Sequence, residues 1–149
     1  MEKTATILLV EDNRMDVELT LDAFKEARLE NKILVVTNGQ EALDYLFRRG
    51  VYADRNTYPM PDLILLDLKL PRIDGFEVLR QIKSANILKR LPVVILTSSK
   101  DEGDRALSYD IGANSYLVKP VSFDGFLGVV KQIEGYWLTL NVAPPENHL

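Results

Sequence analysis

The chain contains no cysteine. Disulfides, thiol nucleophiles and cysteine-ligated metals are therefore excluded, and a reducing compartment fits. Histidine occurs once, as His148 near the C-terminus, so an active site has no histidine base to draw on, and His148 itself is read as inert. Long apolar runs are also missing; none approaches the ~18 residues of a membrane span. The opening Met1-Glu2-Lys3 leads into a strand-length run too short for a secretory signal. A cytoplasmic location is the expectation. There is no basic excess either. With 18 Lys and Arg against 22 Asp and Glu, the net charge is −4, and no Lys/Arg-rich stretch offers a footprint for nucleic acid. Repeats and low-complexity segments are absent. What remains is 149 residues, 46% hydrophobic and 27% charged, which describes one globular domain with a real core.

The apolar residues fall into alternating segments. Thr6–Val10 reads as a strand buried on both faces. Asn13 then caps a helix with Asp16 in its first turn, and Met15, Val17, Leu19, Ala23, Phe24 and Ala27 supply the helical spacing. Ile33–Val36 is a second strand. Asn38-Gly39 turns into helix 2, with Ala42, Leu43, Tyr45, Leu46 and Phe47 on it and Gly50 as its stop. A long loop from Val51 to Pro61 precedes strand 3, which runs to Asp67. Pro71 through Asp74-Gly75 lead to helix 3, bearing Phe76, Val78, Leu79 and Ile82. Strand 4 follows Pro92, and Ser99-Lys100-Asp101-Glu102 reads as a capping box for helix 4. Ser115–Val118 is strand 5, and Ser122 caps a helix 5 reaching about Trp137. Five strands alternating with five helices predict an α/β fold, a doubly wound parallel sheet of order 2-1-3-4-5.

Chemistry gathers at the strand ends. The first strand ends in Glu11-Asp12, the third in Asp67, the fourth in Thr97, and the fifth in Lys119-Pro120. In a parallel sheet these ends share one edge, where open α/β sheets place their sites. Three carboxylates, a hydroxyl and an amine suit a hard cation and a phosphoryl group. Taken singly, Glu11-Asp12 is equally a solvated strand end, and Thr97 a residue of good strand propensity. Asp67 and Lys119 are harder to explain structurally, because each follows buried aliphatics directly. Pro120 is a candidate for a cis peptide that would aim Lys119.

Leu9-Val10-Glu11-Asp12-Asn13, Leu65-Leu66-Asp67-Leu68-Lys69-Leu70-Pro71 with Asp74-Gly75, Leu96-Thr97-Ser98 and Tyr116-Leu117-Val118-Lys119-Pro120 together resemble the receiver domain of two-component response regulators, over about Thr6 to Trp137. The resemblance implies a (βα)5 three-layer sandwich. It implies Asp67 as phosphoacceptor for a sensor histidine kinase, and Mg²⁺ (or Mn²⁺) held by Glu11, Asp12, Asp67 and the Lys69 backbone carbonyl. Thr97 and Lys119 would sense the phosphoryl group, with Tyr116 as the switch aromatic. Such a switch catalyses only its own phosphorylation and slow dephosphorylation, which Lys69 and Ser99 occupy positions to tune. The long loop before strand 3 and the Gly-Tyr-Trp-Leu ending of helix 5 further resemble single-domain regulators that partner cyanobacterial phytochromes, which implies a bilin-bearing kinase.

Residues 1–137 are thus read as the receiver and 138–149 as a tail, with no output domain, so the signal leaves by protein contact or by onward phosphotransfer. On helix 5, Phe123, Phe126, Leu127, Val130, Ile133 and Trp137 form the expected core stripe at ~100° per residue. Val129, Tyr136 and Leu140 fall beside it. Either the tail covers a wide stripe, or these residues with Trp137 join a homodimer through helix 4, strand 5 and helix 5; the homodimer is the expectation. Two rival functions differ on named residues. An aspartyl-phosphate phosphatase typically needs an acid two residues after the nucleophile, and position 69 is Lys. A degenerate receiver, binding partners without phosphorylation, requires a missing site residue, and none is missing.

Overall fold

The computed structural model describes residues 5–29, 31–120 and 122–138. Five strands, β1 (Thr6–Val10), β2 (Lys32–Val36), β3 (Leu63–Leu66), β4 (Val93–Thr97) and β5 (Ser115–Val118), form one sheet of order β2-β1-β3-β4-β5. Every pairing is parallel. The central strands β1, β3 and β4 are wholly buried, as their unbroken aliphatic runs require, while edge strands β2 and β5 are only partly covered. Five helices cover the two faces: α1 (Arg14–Glu26), α2 (Gly39–Leu46), α3 (Gly75–Ser84), α4 (Glu102–Ile111) and α5 (Phe123–Ile133). Side chains alternate along each strand, so Leu8, Val10, Ile64 and Leu66 pack under α2 and α3, while Ile7, Leu9, Leu63 and Leu65 pack under α1 and α5. The predicted three-layer α/β architecture is the observed one.

Each helix starts with a side-chain cap. Asn13, Asn38 and Asp74 accept from the amides of Asp16, Glu41 and Glu77, and Ser122 from Gly125. Helix α4 departs from the expected capping box. Asp101, not Ser99, is its cap, accepting from Gly103 and Asp104, because a carboxylate two residues nearer the helix reaches both amides. Ser99 is displaced to a supporting role, donating to Asp104 Oδ2 at 2.7 Å.

Helix α2 also stops earlier than Gly50. The Arg49 amide reaches Asp44 O at 2.8 Å and the Arg48 amide reaches Tyr45 O at 3.3 Å, with Arg48 at φ 61°. That is a Schellman stop built on arginine, and α1 closes identically on Arg28 at φ 58°. Gly50 instead opens a 3₁₀ turn, Gly50–Ala53. The long segment after it is ordered by tyrosines: the Tyr45 hydroxyl donates to Pro59 O at 2.7 Å, and Tyr58 packs edge to face with both Tyr45 and Tyr52, which lie tilted against each other. After Ile133, α5 widens into a π-helical turn, Glu134–Leu138.

Glycine is required where the third strand meets α3. A Cβ on Gly75 would lie 2.3 Å from Asp67 O and 2.5 Å from Leu68 Cα, both backbone atoms that cannot swing aside. Gly75→Ala should therefore lower the urea midpoint by the equivalent of about 1–3 kcal/mol. Arg28→Gly should act oppositely and raise it by about 0.5–1 kcal/mol, since glycine holds the left-handed stop without steric penalty.

Candidate functional site

The parallel register delivers four strand ends to one edge, and backbone bonds beyond the strands extend the sheet to the residues that follow. Glu11 N bonds Val36 O at 3.0 Å, Asp67 N bonds Val10 O at 3.1 Å, and Lys119 N bonds Thr97 O at 2.7 Å. Each chemical side chain thus hangs from a rigid, fully paired frame. Strand order reverses between β1 and its two neighbours, and Glu11 and Asp67 flank that switch point.

Lys119 is the centre of the crevice. Its side chain is only 7% exposed, and its ammonium lies 2.9 Å from Asp67 Oδ2, 2.9 Å from Asp16 Oδ2 and in contact with Glu11 Oε1. Burial alone would lower the amine's pKa, but hydrogen bonds to Asp67, Glu11 and Asp16 reverse this and hold it above the usual lysine range. Glu11 responds differently. Burial drives its carboxyl up to about 7, Lys119 opposes that rise, and the charge of Asp67 adds to it. Its other oxygen accepts the Asn13 amide at 3.1 Å.

Glu11, Asp12 and Asp67 each place one carboxylate oxygen within 4.8 Å of the others. Opposite ligands of a Mg²⁺-sized ion stand about 4.2 Å apart, so the trio fits a divalent cation after slight closure. An all-oxygen donor set selects a hard ion. In their present arrangement the Lys119 ammonium supplies the positive charge that part of this set needs.

The other expected site residues are distributed around this centre. Thr97 is fully buried at the end of β4, its hydroxyl oxygen 3.4 Å from the Ser99 amide. Tyr116 packs against the α2–α4 side of the core and donates its hydroxyl to Ser99 O at 3.0 Å. Lys69 is exposed beside the crevice, with its amide 3.4 Å from Asp67 Oδ1. The Lys119–Pro120 peptide is trans, against the cis bond expected at Pro120. The lysine is held by its ion pairs and by the bond from its amide to Thr97 O.

On α5, Phe126, Val130 and Ile133 are buried and Phe123 and Trp137 partly so, as expected of the core stripe. Val129 departs from expectation: it packs into the same core beneath α1, because the two helices lie close along their length. The Tyr136 side chain, Leu140 and His148 lie outside the described residues. A recess of about 310 Å³ lined by Ser115, Leu117, Gln132, Ile133 and Trp137 sits at the start of β5, away from the acidic crevice.

One contact of the site escaped the reading of the sequence. Asp16 was assigned to the dipole of α1, yet its carboxylate also reaches Lys119. Ser99, read from the sequence as a helix cap and a position that tunes dephosphorylation, is here a node that touches Thr97, Tyr116 and Asp104.

Comparison with known proteins agrees with this geometry. Residues 7–131 match the family described as the response regulator receiver domain. The chain is 39% identical to the response regulator Rcp1 of a Synechocystis species, over 93% of this chain and 92% of Rcp1. It is 42% identical to FilR2, a probable methanogenesis regulatory protein of Methanothrix harundinacea, over 93% of this chain and 86% of FilR2. Among solved structures, the phosphorylated cyanobacterial phytochrome response regulator RcpA superposes with a TM-score of 0.89 at 41% identity, covering 96% of this chain and all of RcpA. The Mn²⁺-bound form of Rcp1 superposes with a TM-score of 0.85 at 38% identity, covering 95% of this chain and 99% of Rcp1. No described helix is long and apolar enough to cross a membrane. The fold, the shared strand edge and the match over nearly the whole chain place this protein in the response-regulator receiver family, whose members are phosphorylation-operated signalling switches rather than classical enzymes.

Proposed function

We propose that Asp67 accepts a phosphoryl group from a phosphohistidine of a sensor histidine kinase. One Asp67 oxygen attacks phosphorus in line, the P–N bond breaks, and its electron pair returns to the imidazole nitrogen, leaving an acyl phosphate on Asp67. The observation that carries this reading is the buried ammonium of Lys119, 2.9 Å from Asp67, at a strand edge that also presents Glu11 and Asp12. Lys119 neutralises oxygen charge on the transferring group. Glu11, Asp12, Asp67 and the Lys69 backbone carbonyl would hold Mg²⁺, or Mn²⁺, which supplies further charge neutralisation when bound.

The acyl phosphate brings a charge of about −1.5 to −2 into the crevice. The Thr97 hydroxyl turns to donate to it and leaves its contact with the Ser99 amide. Ser99 O holds the Tyr116 hydroxyl and Ser99 Oγ holds Asp104 of α4, so a shift at this residue moves both. The readout surface is the face of α4, β5 and α5, where Leu107, Tyr109 and Val118 are exposed. We assign a homodimer contact to that face. Similarity to the phytochrome response regulator RcpA supports a phytochrome as the kinase, and we place the switch in the cytoplasm.

Mass spectrometry after incubation with acetyl phosphate and Mg²⁺ should show a single phosphate adduct, absent in Asp67→Asn; no adduct on the unmutated chain would favour a phosphorylation-independent binding module. Glu11 yields a second expectation. Its folded-state pKa is raised from 4.5 to about 7, so its contribution to stability is full below 4.5 and lost as pH climbs through about 7. The melting temperature of the metal-free protein, relative to Glu11→Gln, should therefore fall across that window. Mg²⁺ should stabilise the unmutated chain more above it than within it, as scanning fluorimetry can read.

A further inference from the structure

We infer that Asp16 is a positioning residue for Lys119, holding the ammonium in place when Glu11 turns to a divalent cation; the inference rests on the reading of Glu11, Asp12 and Asp67 as cation ligands. In this structure three carboxylates share the Lys119 ammonium. Two of them, Glu11 and Asp67, belong to the oxygen set that fits a cation, and Asp16 does not. A carboxylate drawn to a doubly charged ion surrenders much of its attraction for a neighbouring amine. Asp16 is then the partner that Lys119 keeps in full.

Burial makes that partner necessary. With 7% of the side chain exposed, water has little access to replace a lost contact on the ammonium. The geometry is also pre-set. The Asp16 amide is held by the Asn13 cap at 3.0 Å, and its carbonyl accepts the Thr20 hydroxyl at 2.7 Å, so its carboxylate projects from a fixed turn. Its charge offsets that of Lys119 and reduces the repulsion an incoming cation meets. Without it, Lys119 falls back on Glu11 and Asp67 and competes with the cation for them.

Calorimetric titration of the metal-free full chain with Mg²⁺ tests this. Asp16→Asn should weaken binding about tenfold, the scale of one lost charge-assisted contact. Asp16→Glu should recover most of that loss, because charge and reach are kept. In a Lys119→Met background, Asp16→Asn should change the affinity less than about twofold. Equal losses in both backgrounds would show Asp16 acting as a plain nearby charge and would overturn the inference, as would unchanged affinity in Asp16→Asn alone. If the unmutated chain binds no Mg²⁺, the cation-site reading fails and this inference falls with it. Asp16→Ala carries the same comparison should the Asn variant not fold.

Discussion

A single buried ammonium holds together the acids of this crevice. Lys119 contacts Glu11, Asp16 and Asp67, and Asp12 lies close by at the exposed mouth, so four acids face one base whose own side chain water barely reaches. Such clusters contribute little to stability, because desolvating charges costs about as much as their pairing returns. The fold tolerates one here because the strands beneath it are continuous aliphatic runs, wholly buried and paired on both sides. The excess of negative charge is the useful property. It leaves the site short of positive charge, a deficit that a divalent cation makes good, while burial, with the charge of Asp67 adding to it, raises the pKa of the Glu11 carboxyl.

Delivering that cluster is mainly a matter of register. Val10 pairs with Leu66, Leu66 with Ile95, and Thr97 with Val118, so Glu11 and Asp67 emerge side by side, with Thr97 one residue and Lys119 two residues farther along. The close approach of α3 then sets the Asp67 backbone, since only a residue without Cβ fits at Gly75. A second such approach, Gly39 against the Ile73 carbonyl, brings the start of α2 against the loop that follows Asp67. Two glycines in separate helices thus pack closely against Asp67 and the loop that follows it.

Much of this was legible in the sequence. Unbroken runs such as Leu63–Leu66 declare buried parallel strands, and an Asn, Asp or Ser before each helix declares its start. The strand-end residues follow from those two signals alone. The remaining features were hidden for physical reasons. Arginine at a left-handed helix stop is set by hydrogen bonds around Arg28 and Arg48, not by residue preference, and so Gly50 drew attention instead. Between Ser99 and Asp101 the choice of cap depends on which side chain reaches two amides. Val129 sits off the ideal helical stripe but faces α1, a neighbour that periodicity does not reveal. Asp16 had a sufficient local explanation in the helix dipole, and a sequence gives no reason to seek a second role across 103 residues.

The same cluster has two mechanical outlets, and they lie on opposite faces of the sheet. Through Asp16, Lys119 is tied to the first turn of α1, which packs with α5 on one side. Through Ser99, Thr97 and Tyr116 are tied to the start of α4, which packs with α3 on the other. On the reading of Asp67 as phosphoacceptor, one acyl phosphate draws on Lys119 and Thr97 together, because both must turn donors toward its oxygens. A charge added at one strand end is then felt in both helical layers. Neither layer needs to deform its core, since each outlet runs through a helix N-terminus and its capping bonds, where a few hydrogen bonds exchange at little cost. The rigid sheet between them keeps the two responses in step.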